Sequence, residues 1–166
     1  MTPAPAKPAL RPFLPADAPV LAAIFRESIE ELTGEDYSAA QAAAWAAFAD
    51  DEAAFGAHLA RHLTLVATLD GAPAGFAALK EPDHVDMLYV HPGVAGQGVA
   101  RLLVDALEKL ARARGATRLT ADASDTARGF FEKRGFEARH RNTTMRGDEW
   151  LGNTRMEKRF AGEGAR

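Results

Sequence analysis

Between His91 and Ala100 the chain reads His-Pro-Gly-Val-Ala-Gly-Gln-Gly-Val-Ala, with glycines at 93, 96 and 98 and a long stretch of helical periodicity directly after. A turn of this kind at a helix start presents successive backbone N–H groups that have no partner inside the helix. The helix dipole adds about half a positive charge at the same place. Together they suit a phosphate or pyrophosphate, and glycine lets the backbone come close to the anion and adopt positive φ. The spacing G-x-x-G-x-G is the reverse of the dinucleotide-binding fingerprint, and the first β-α-β position which that fingerprint requires is missing. A nucleotide P-loop would need Gly-Lys-Ser/Thr, and none is present. On the loop alone, a tight turn that holds no ligand remains the alternative. His58 and His62 stand four apart on a predicted helix, the spacing of a metal-binding pair. The Glu of a His-Glu-x-x-His motif is missing, no third ligand is evident, and no metal is expected. Cysteine is absent, which excludes disulfides, thiolate metal sites and a cysteine nucleophile. Arg139, His140, Arg141 and Arg146 form a basic cluster that reads as a solvated strand face.

A chain of 166 residues has to hold these groups in place; it is 47% hydrophobic and 26% charged, with a net charge of −3. That composition fills one core, and the charge balance offers no general field for a nucleic-acid backbone. No apolar run reaches the roughly 18 residues of a membrane span. Neither nucleic acid nor membrane is therefore an expected partner; Met1 to Pro12 lacks the apolar segment of a signal peptide, and the cytoplasm is the expected compartment. Residues 1–8 read as a flexible tail, 9–160 as one domain and 161–166 as a disordered tail.

Ala9 to Phe13 predicts a first strand, interrupted by Pro12 and so near an edge. Asp17 reads as the cap of a helix with Val20, Leu21, Ile24, Phe25, Ser28, Ile29 and Leu32 at helical spacing, stopped by Gly34. Ser38 and Gln41 give a capping-box pattern at the head of a second helix bearing Trp45 and Phe48. Asp51 to His62 predicts a third. The period then changes to that of strands over His62 to Leu69, Ala74 to Leu79 and Val85 to Val90, with Asp70-Gly71 as a hairpin turn. Val99 to Leu110 is a strongly amphipathic helix, with Asp105–Lys109 and Glu108–Arg112 as i,i+4 pairs. A strand over Thr117 to Ala123, a short helix over Ser124 to Arg134, and strands over Phe136 to Met145 and Asn153 to Phe160 complete the order. It predicts an α+β domain on a mixed, mostly antiparallel sheet flanked by helices, with one β-α-β unit.

Val90-x-Pro92, Gly96-x-Gly98-x-Ala100, the long helix, a strand and then Ala127-x-x-Phe130-Phe131-Glu132-x-x-Gly135-Phe136 follow one another in this chain. In this, over about residues 9–160, it resembles the GCN5-related N-acetyltransferases, the GNAT family. Tyr37-Ser38-x-x-Gln41-x-x-x-Trp45, with Asp86 to Val90 and Ala123-Ser124, is similar to a YafP-like branch of small bacterial members. The resemblance implies transfer of an acetyl group from acetyl-CoA, as co-substrate, to the amine of a small molecule by direct attack in a ternary complex. It implies that pantetheine runs along Val85 to Val90, and that backbone N–H groups among Leu88, Tyr89 and Val90 polarise the thioester oxygen. Ala95, Gly96, Gln97, Gly98, Val99 and Ala100 would take the pyrophosphate, with Ser124 and Phe131 beside the cofactor. Ala95 stands where the family has Arg or Gln, and Phe131 where many members have a Tyr that protonates the leaving thiolate. A thiol of pKa about 8.5 leaves adequately without that proton.

An alkyl amine has a pKa near 10.4 and is almost fully protonated at neutral pH, so a base is useful. Asp86 is the candidate, with His84 on its face by two-residue alternation and Tyr89 as a candidate proton donor. Tyr37 and Trp45, with Tyr89 and Trp150, are expected to wall the acceptor. Each has a plainer alternative: Ser38, Gln41 and Ser124 as caps, Trp45 as core, Asp86 as an ordinary strand carboxylate. Two other functions stay open, a non-catalytic acyl-CoA-binding sensor or interaction module and a protein or peptide N-acetyltransferase. Family analogy is compatible with a homodimer.

Overall fold

Apolar side chains alternate along the middle of the chain and recur at helical spacing on both sides of it, so the strands need a helical layer on each face. The computed structural model, which describes residues 7–161, has that arrangement. The elements are β1 (Pro8–Pro12), α1 (Ala18–Leu32), α2 (Ala39–Ala46), α3 (Glu52–Ala60), β2 (Leu63–Leu69), β3 (Ala72–Lys80), β4 (His84–Val90), α4 (Val99–Ala113), β5 (Arg118–Ser124), α5 (Arg128–Lys133), β6 (Glu137–Arg146) and β7 (Glu149–Arg159). They build a seven-stranded sheet in the order β1-β2-β3-β4-β5-β7-β6. Every neighbouring pair is antiparallel except β4 and β5, which α4 connects as a right-sized crossover. This is the α+β, mostly antiparallel architecture that the sequence predicts.

Local chemistry accounts for the boundaries. Asp70 (φ 49°) and Gly71 (φ 85°) both occupy the left-handed region that a two-residue hairpin requires. Ser38 Oγ accepts from Gln41 N while Gln41 Oε1 accepts from Ser38 N, so the capping box at α2 is complete. Asp51 accepts from Ala54 N at the head of α3. One face of the sheet carries α4, through Val99, Leu103, Val104, Leu107 and Ala111, over Leu119, Phe131 and Met156. The other carries α1 and α3, with Leu21, Phe25, Phe55 and Leu59 over Val66, Phe76 and Met87.

Several expectations need correction. Asp17 precedes α1 but makes no side-chain cap bond. Its carboxylate instead accepts two bonds of 2.8 Å from the Arg11 guanidinium and one from Leu14 N, which ties β1 to the head of α1. Asp105 pairs at 2.7 Å with Arg134, the residue that follows α5, and not with Lys109; the Glu108–Arg112 pair does form. Val20 and Leu32 are exposed, at the margins of the buried stripe of α1. The short helix begins only at Arg128, since Ser124 still pairs with Asn153 as the last residue of β5. Pro8 and Lys7 belong to the sheet edge and not to a tail, because Pro8 pairs with Leu69 and Lys7 bonds Asp70. The tail expectations for residues 1–6 and 162–166 lie outside the described residues. No helix among the described residues is long and apolar enough to cross a membrane.

The Arg11 guanidinium, by hydrogen bonding, holds the Asp17 carboxyl below its usual range. A folded-state pKa lowered in this way contributes stability at neutral pH, and the contribution is lost as pH falls below the unfolded value of about 3.9. Asp17→Asn should therefore destabilise the protein by on the order of 1 kcal/mol at pH 7, the half-exposed arginine keeping the figure small. Urea unfolding of the two proteins should differ at neutral pH and begin to converge only as pH falls below about 4; a gap that stays constant on further acidification would show the pair to be electrostatically idle.

Candidate active site

Strand β4 departs from regular pairing on both sides. Against β3, Ala78 pairs with Met87 and Leu79 with Val85, so Asp86 is an extra residue in a bulge. Strict alternation would put Val85 and Met87 on one face. The bulge instead sends Val85 into the core under α4 and Met87, with Tyr89, under α1 and α3. Against β5, pairing consists of His84 with Thr120 and Val85 with Ala121, and then the strands part. His91 N bonds Ala74 O at 2.8 Å, so in the antiparallel ladder Tyr89 and Met87 occupy the bonded positions facing β3. The backbone groups of Leu88 and Val90 consequently point away from β3, into the gap. Tyr89 offers that gap its side chain, not the amide the sequence reading included.

The gap is a cavity of about 180 Å³. Val85 to Val90 form one wall, Ala121 to Ser124, Ala127 and Phe131 the other, and Ile29, Leu32, Thr33 and Trp45 close it from the helical side. Phe131 is buried against Phe130 and Phe136, with ring centroids 5.4 and 5.0 Å away, so its role there is packing. Ser124 Oγ accepts from Ala127 N at 3.1 Å in the turn ahead of α5, one residue short of capping the helix itself, and Ser124 also lines the cavity.

Beyond Val90 the chain enters the glycine turn. His91 Nδ1 accepts from Gly93 N at 2.9 Å and its Nε2 lies 3.0 Å from Glu27, which anchors the turn to α1. Gly96 (φ 81°) and Gly98 (φ 85°) are left-handed, and a Cβ at either would meet nothing within 4 Å. Ala95, Gly96, Gln97 and Gly98 are exposed, while Val99 is buried and Ala100 half-buried. Ala95 N and Gln97 N close turns onto Pro92 O and Val94 O, and Leu102 N makes the first helical bond to Gly98 O. Among the described residues the N–H groups of Gly96, Gly98, Val99 and Ala100 bond no other residue. The turn is thus an open row of donors at the positive end of α4.

Asp86, from the bulge, faces α3. His58 Nε2 is 2.6 Å from Asp86 Oδ2, and His62 Nε2 is 3.9 Å from the same oxygen. The third group that the sequence did not offer to the His58–His62 pair is therefore Asp86. His84 lines a cavity with Asp86, but its ring bonds Thr120 Oγ1 at 2.8 Å and approaches Asp122 at 3.7 Å. Burial pushes both His84 and His62 below the ordinary histidine range, which favours neutral imidazoles.

That second cavity, of about 210 Å³, is walled by Tyr37, Trp45, Tyr89, Asp86, Arg146 and Asn153 among others. Trp45 stacks edge-on against Tyr37 (5.5 Å) and Tyr89 (6.3 Å), and its Nε1 donates to the Tyr89 hydroxyl at 3.2 Å. Burial pushes the Tyr89 phenol up to about 12, with the Trp45 N–H pulling the other way. It stays protonated and is free to donate a hydrogen bond. Tyr37 is buried; its hydroxyl donates to Gly152 O at 2.7 Å and accepts from Asp125 N at 2.9 Å. Trp150 is no part of this wall: its ring is exposed, and its carbonyl accepts from Gln41. The basic cluster is paired, as a solvated strand face should be: Arg139 lies near Glu137 and Glu157, and Arg141 bonds Asp125. Arg146 differs, because it reaches both cavities that Asp86 lines toward α2 and α3, a placement that no local pattern announces.

The profile of the acetyltransferase (GNAT) domain family matches residues 33–160. The uncharacterized N-acetyltransferase YafP of Escherichia coli K12 is 36% identical over 128 residues, covering 77% of this chain and 80% of that protein. The peptidyl-lysine N-acetyltransferase YjaB of Salmonella typhimurium LT2 is 34% identical over 80 residues, 48% of this chain and 53% of that protein. A GCN5-related N-acetyltransferase (aminotransferase, class-II) from Rhodopseudomonas palustris has a crystal structure that superposes with a TM-score of 0.92 at 59% identity. The match spans 96% of this chain and 100% of that one.

The Tyr37 hydroxyl joins the chain ahead of α2 to β7 and to the loop after β5. Tyr37→Phe should cost about 1–3 kcal/mol by leaving Gly152 O and Asp125 N without that partner. Chemical denaturation measures it; an unchanged midpoint would mean that water replaces the hydroxyl.

Proposed function

The chain belongs to the GNAT acetyltransferase family and is an acetyl-CoA-dependent N-acetyltransferase, and we propose that its acceptor is the amine of a small molecule, which attacks directly in a ternary complex. The observation that carries the reading is the parting of β4 from β5 at Asp86, with the glycine turn at the far end of the opened strand. The residues there suit acetyl-CoA. Leu88 and Val90 offer free backbone groups along a mostly apolar cavity, and the open N–H groups of Gly96, Gly98, Val99 and Ala100 suit a pyrophosphate without a side chain at Ala95. Acetyl-CoA supplies the activated acyl thioester.

In this reading the chain's own groups divide the work. Leu88 and Val90 N–H are the donors available to an acyl oxygen, preorganised because β3 holds the strand from its other side. Asp86 takes the proton from the attacking amine, and His58, within hydrogen-bond distance, orients its carboxylate. Tyr89 donates a hydrogen bond; a phenol near 12 is too weak an acid to give its proton fully to a thiolate of about 8.5. Tyr37 and Trp45 form the aromatic side of the acceptor space. A small acceptor is favoured over a peptide because that space, bordered by Arg146, Leu151 and Gly152, is a cavity of about 210 Å³. The similarity to a peptidyl-lysine acetyltransferase over half the chain makes a protein acceptor the second reading.

The absence of cysteine makes the test clean, since any thiol detected with a thiol-reactive dye is released coenzyme A. Amine-dependent release from acetyl-CoA, with pooled small amines splitting down to one class, is the expected result. Release only with lysine peptides would overturn the small-molecule reading. Asp86→Asn should lower kcat for a basic amine by about 10²–10⁴-fold with acetyl-CoA affinity kept. Gly98→Val, which forces a β-branched residue into a left-handed position, should cost on the order of 1–2 kcal/mol in stability. It should weaken acetyl-CoA binding about tenfold or more, and retained affinity in calorimetry would remove the turn from the site.

A further inference from the structure

Three ligand-type side chains meet at the edge of the acceptor space. His58 lies on the last turn of α3, His62 just beyond its end, and Asp86 in the bulge of β4. One ligand atom from each lies within 4.8 Å of the other two. The imidazoles meet edge-on at 4.8 Å, so they are not stacked flat and both can turn a nitrogen toward the shared oxygen. The three side chains are 21%, 15% and 19% exposed, packed enough to be positioned and open enough to be reached. Around a tetrahedral zinc ion with bonds of about 2.0–2.2 Å, neighbouring ligand atoms stand about 3.3 Å apart. The separations of 2.6 and 3.9 Å from Asp86 Oδ2 lie on either side of that value, so small rotations of the two rings admit an ion. His58 Nδ1 has Arg61 at 3.4 Å, a marginal contact to an exposed and flexible side chain that can swing away.

We propose that His58, His62 and Asp86 bind one divalent transition-metal ion of the zinc class. Two imidazoles and one carboxylate suit Zn²⁺ or Co²⁺, whereas Mg²⁺ and Ca²⁺ require more oxygen ligands than the cluster has. Three protein ligands leave a position open, and the cavity bounded by His58, Asp86, Trp45, Phe48 and Arg146 adjoins it. A metal on Asp86 draws charge from its carboxylate and makes it a weaker base, so bound metal slows acetyl transfer; this consequence, unlike the binding, rests on the reading of Asp86 as the base.

The test is binding to the full-length protein after chelation. Zn²⁺ in calorimetry should bind one ion per chain, and Co²⁺ should show the visible bands of low coordination. His58→Ala and His62→Ala should each weaken binding about tenfold or more, with folding checked by circular dichroism. His140→Ala, on the exposed face of β6, should leave it unchanged. Absence of one-to-one binding would overturn the proposal, as would binding that survives both His58→Ala and His62→Ala or is lost equally in His140→Ala. Because the readout is binding, a protein inactive toward every amine tried leaves this result intact, and a protein that binds no metal leaves the transferase reading intact.

Discussion

A strand edge opened inside a folded domain has to be satisfied, because a buried backbone group without a partner costs about 1–3 kcal/mol. Here that edge is the outer side of Leu88 and Val90. It exists because Asp86 is one residue too many for the β3–β4 ladder: the bulge bends β4 and ends its parallel pairing with β5 after two residue pairs. Asp86, the aromatic side chains of Trp45 and Tyr89, and the two cavities they line are arranged around that gap. The sheet stays intact because β3 holds β4 from the other side, and because β5 turns to β7 for a full seven-pair ladder.

The same bulge sorts the side chains. It lets consecutive residues of one strand serve both cores, with Val85 under α4 and Met87 and Tyr89 under α1 and α3. It also leaves Asp86 free to face α3. The apolar stripe of α4 fixes where that helix lies, and with it the direction in which the donors of the glycine turn point. The glycine turn and the opened strand are thus two consequences of a single β-α-β unit, set by packing at one end and by a ladder irregularity at the other.

The second cavity is held differently, by polar ties over long sequence distances. Tyr37 joins Gly152 and Asp125; Arg141 bonds Asp125; Arg155 bonds Asp122 at 2.6 Å. These ties bring the β6–β7 hairpin to the end of the cavity, where Arg146 and Leu151 line it. Exposed ion pairs of this type contribute little stability individually. Their weight lies in orienting the hairpin and the loop after β5 relative to Trp45.

Much of this could be read from the residues alone, wherever the cause is local. Period, caps and turns follow from neighbours within a few positions, so the Ser38–Gln41 box, the Asp70-Gly71 hairpin, the glycine turn and the stripe of α4 were all legible. The order of elements then implied the mixed sheet and its one parallel pair. Chemistry that depends on distant partners was not legible. Asp17 looked like a cap and became the partner of Arg11; Asp105 looked like the partner of Lys109 and bonds Arg134; His58 and His62 lacked a third ligand until the sheet put Asp86 beside them. The physical reason is that a one-residue bulge and the order of strands decide which side chains face each other, and neither is encoded by the residues next to them. The sequence by itself determined which groups were available; tertiary structure decided which of them meet.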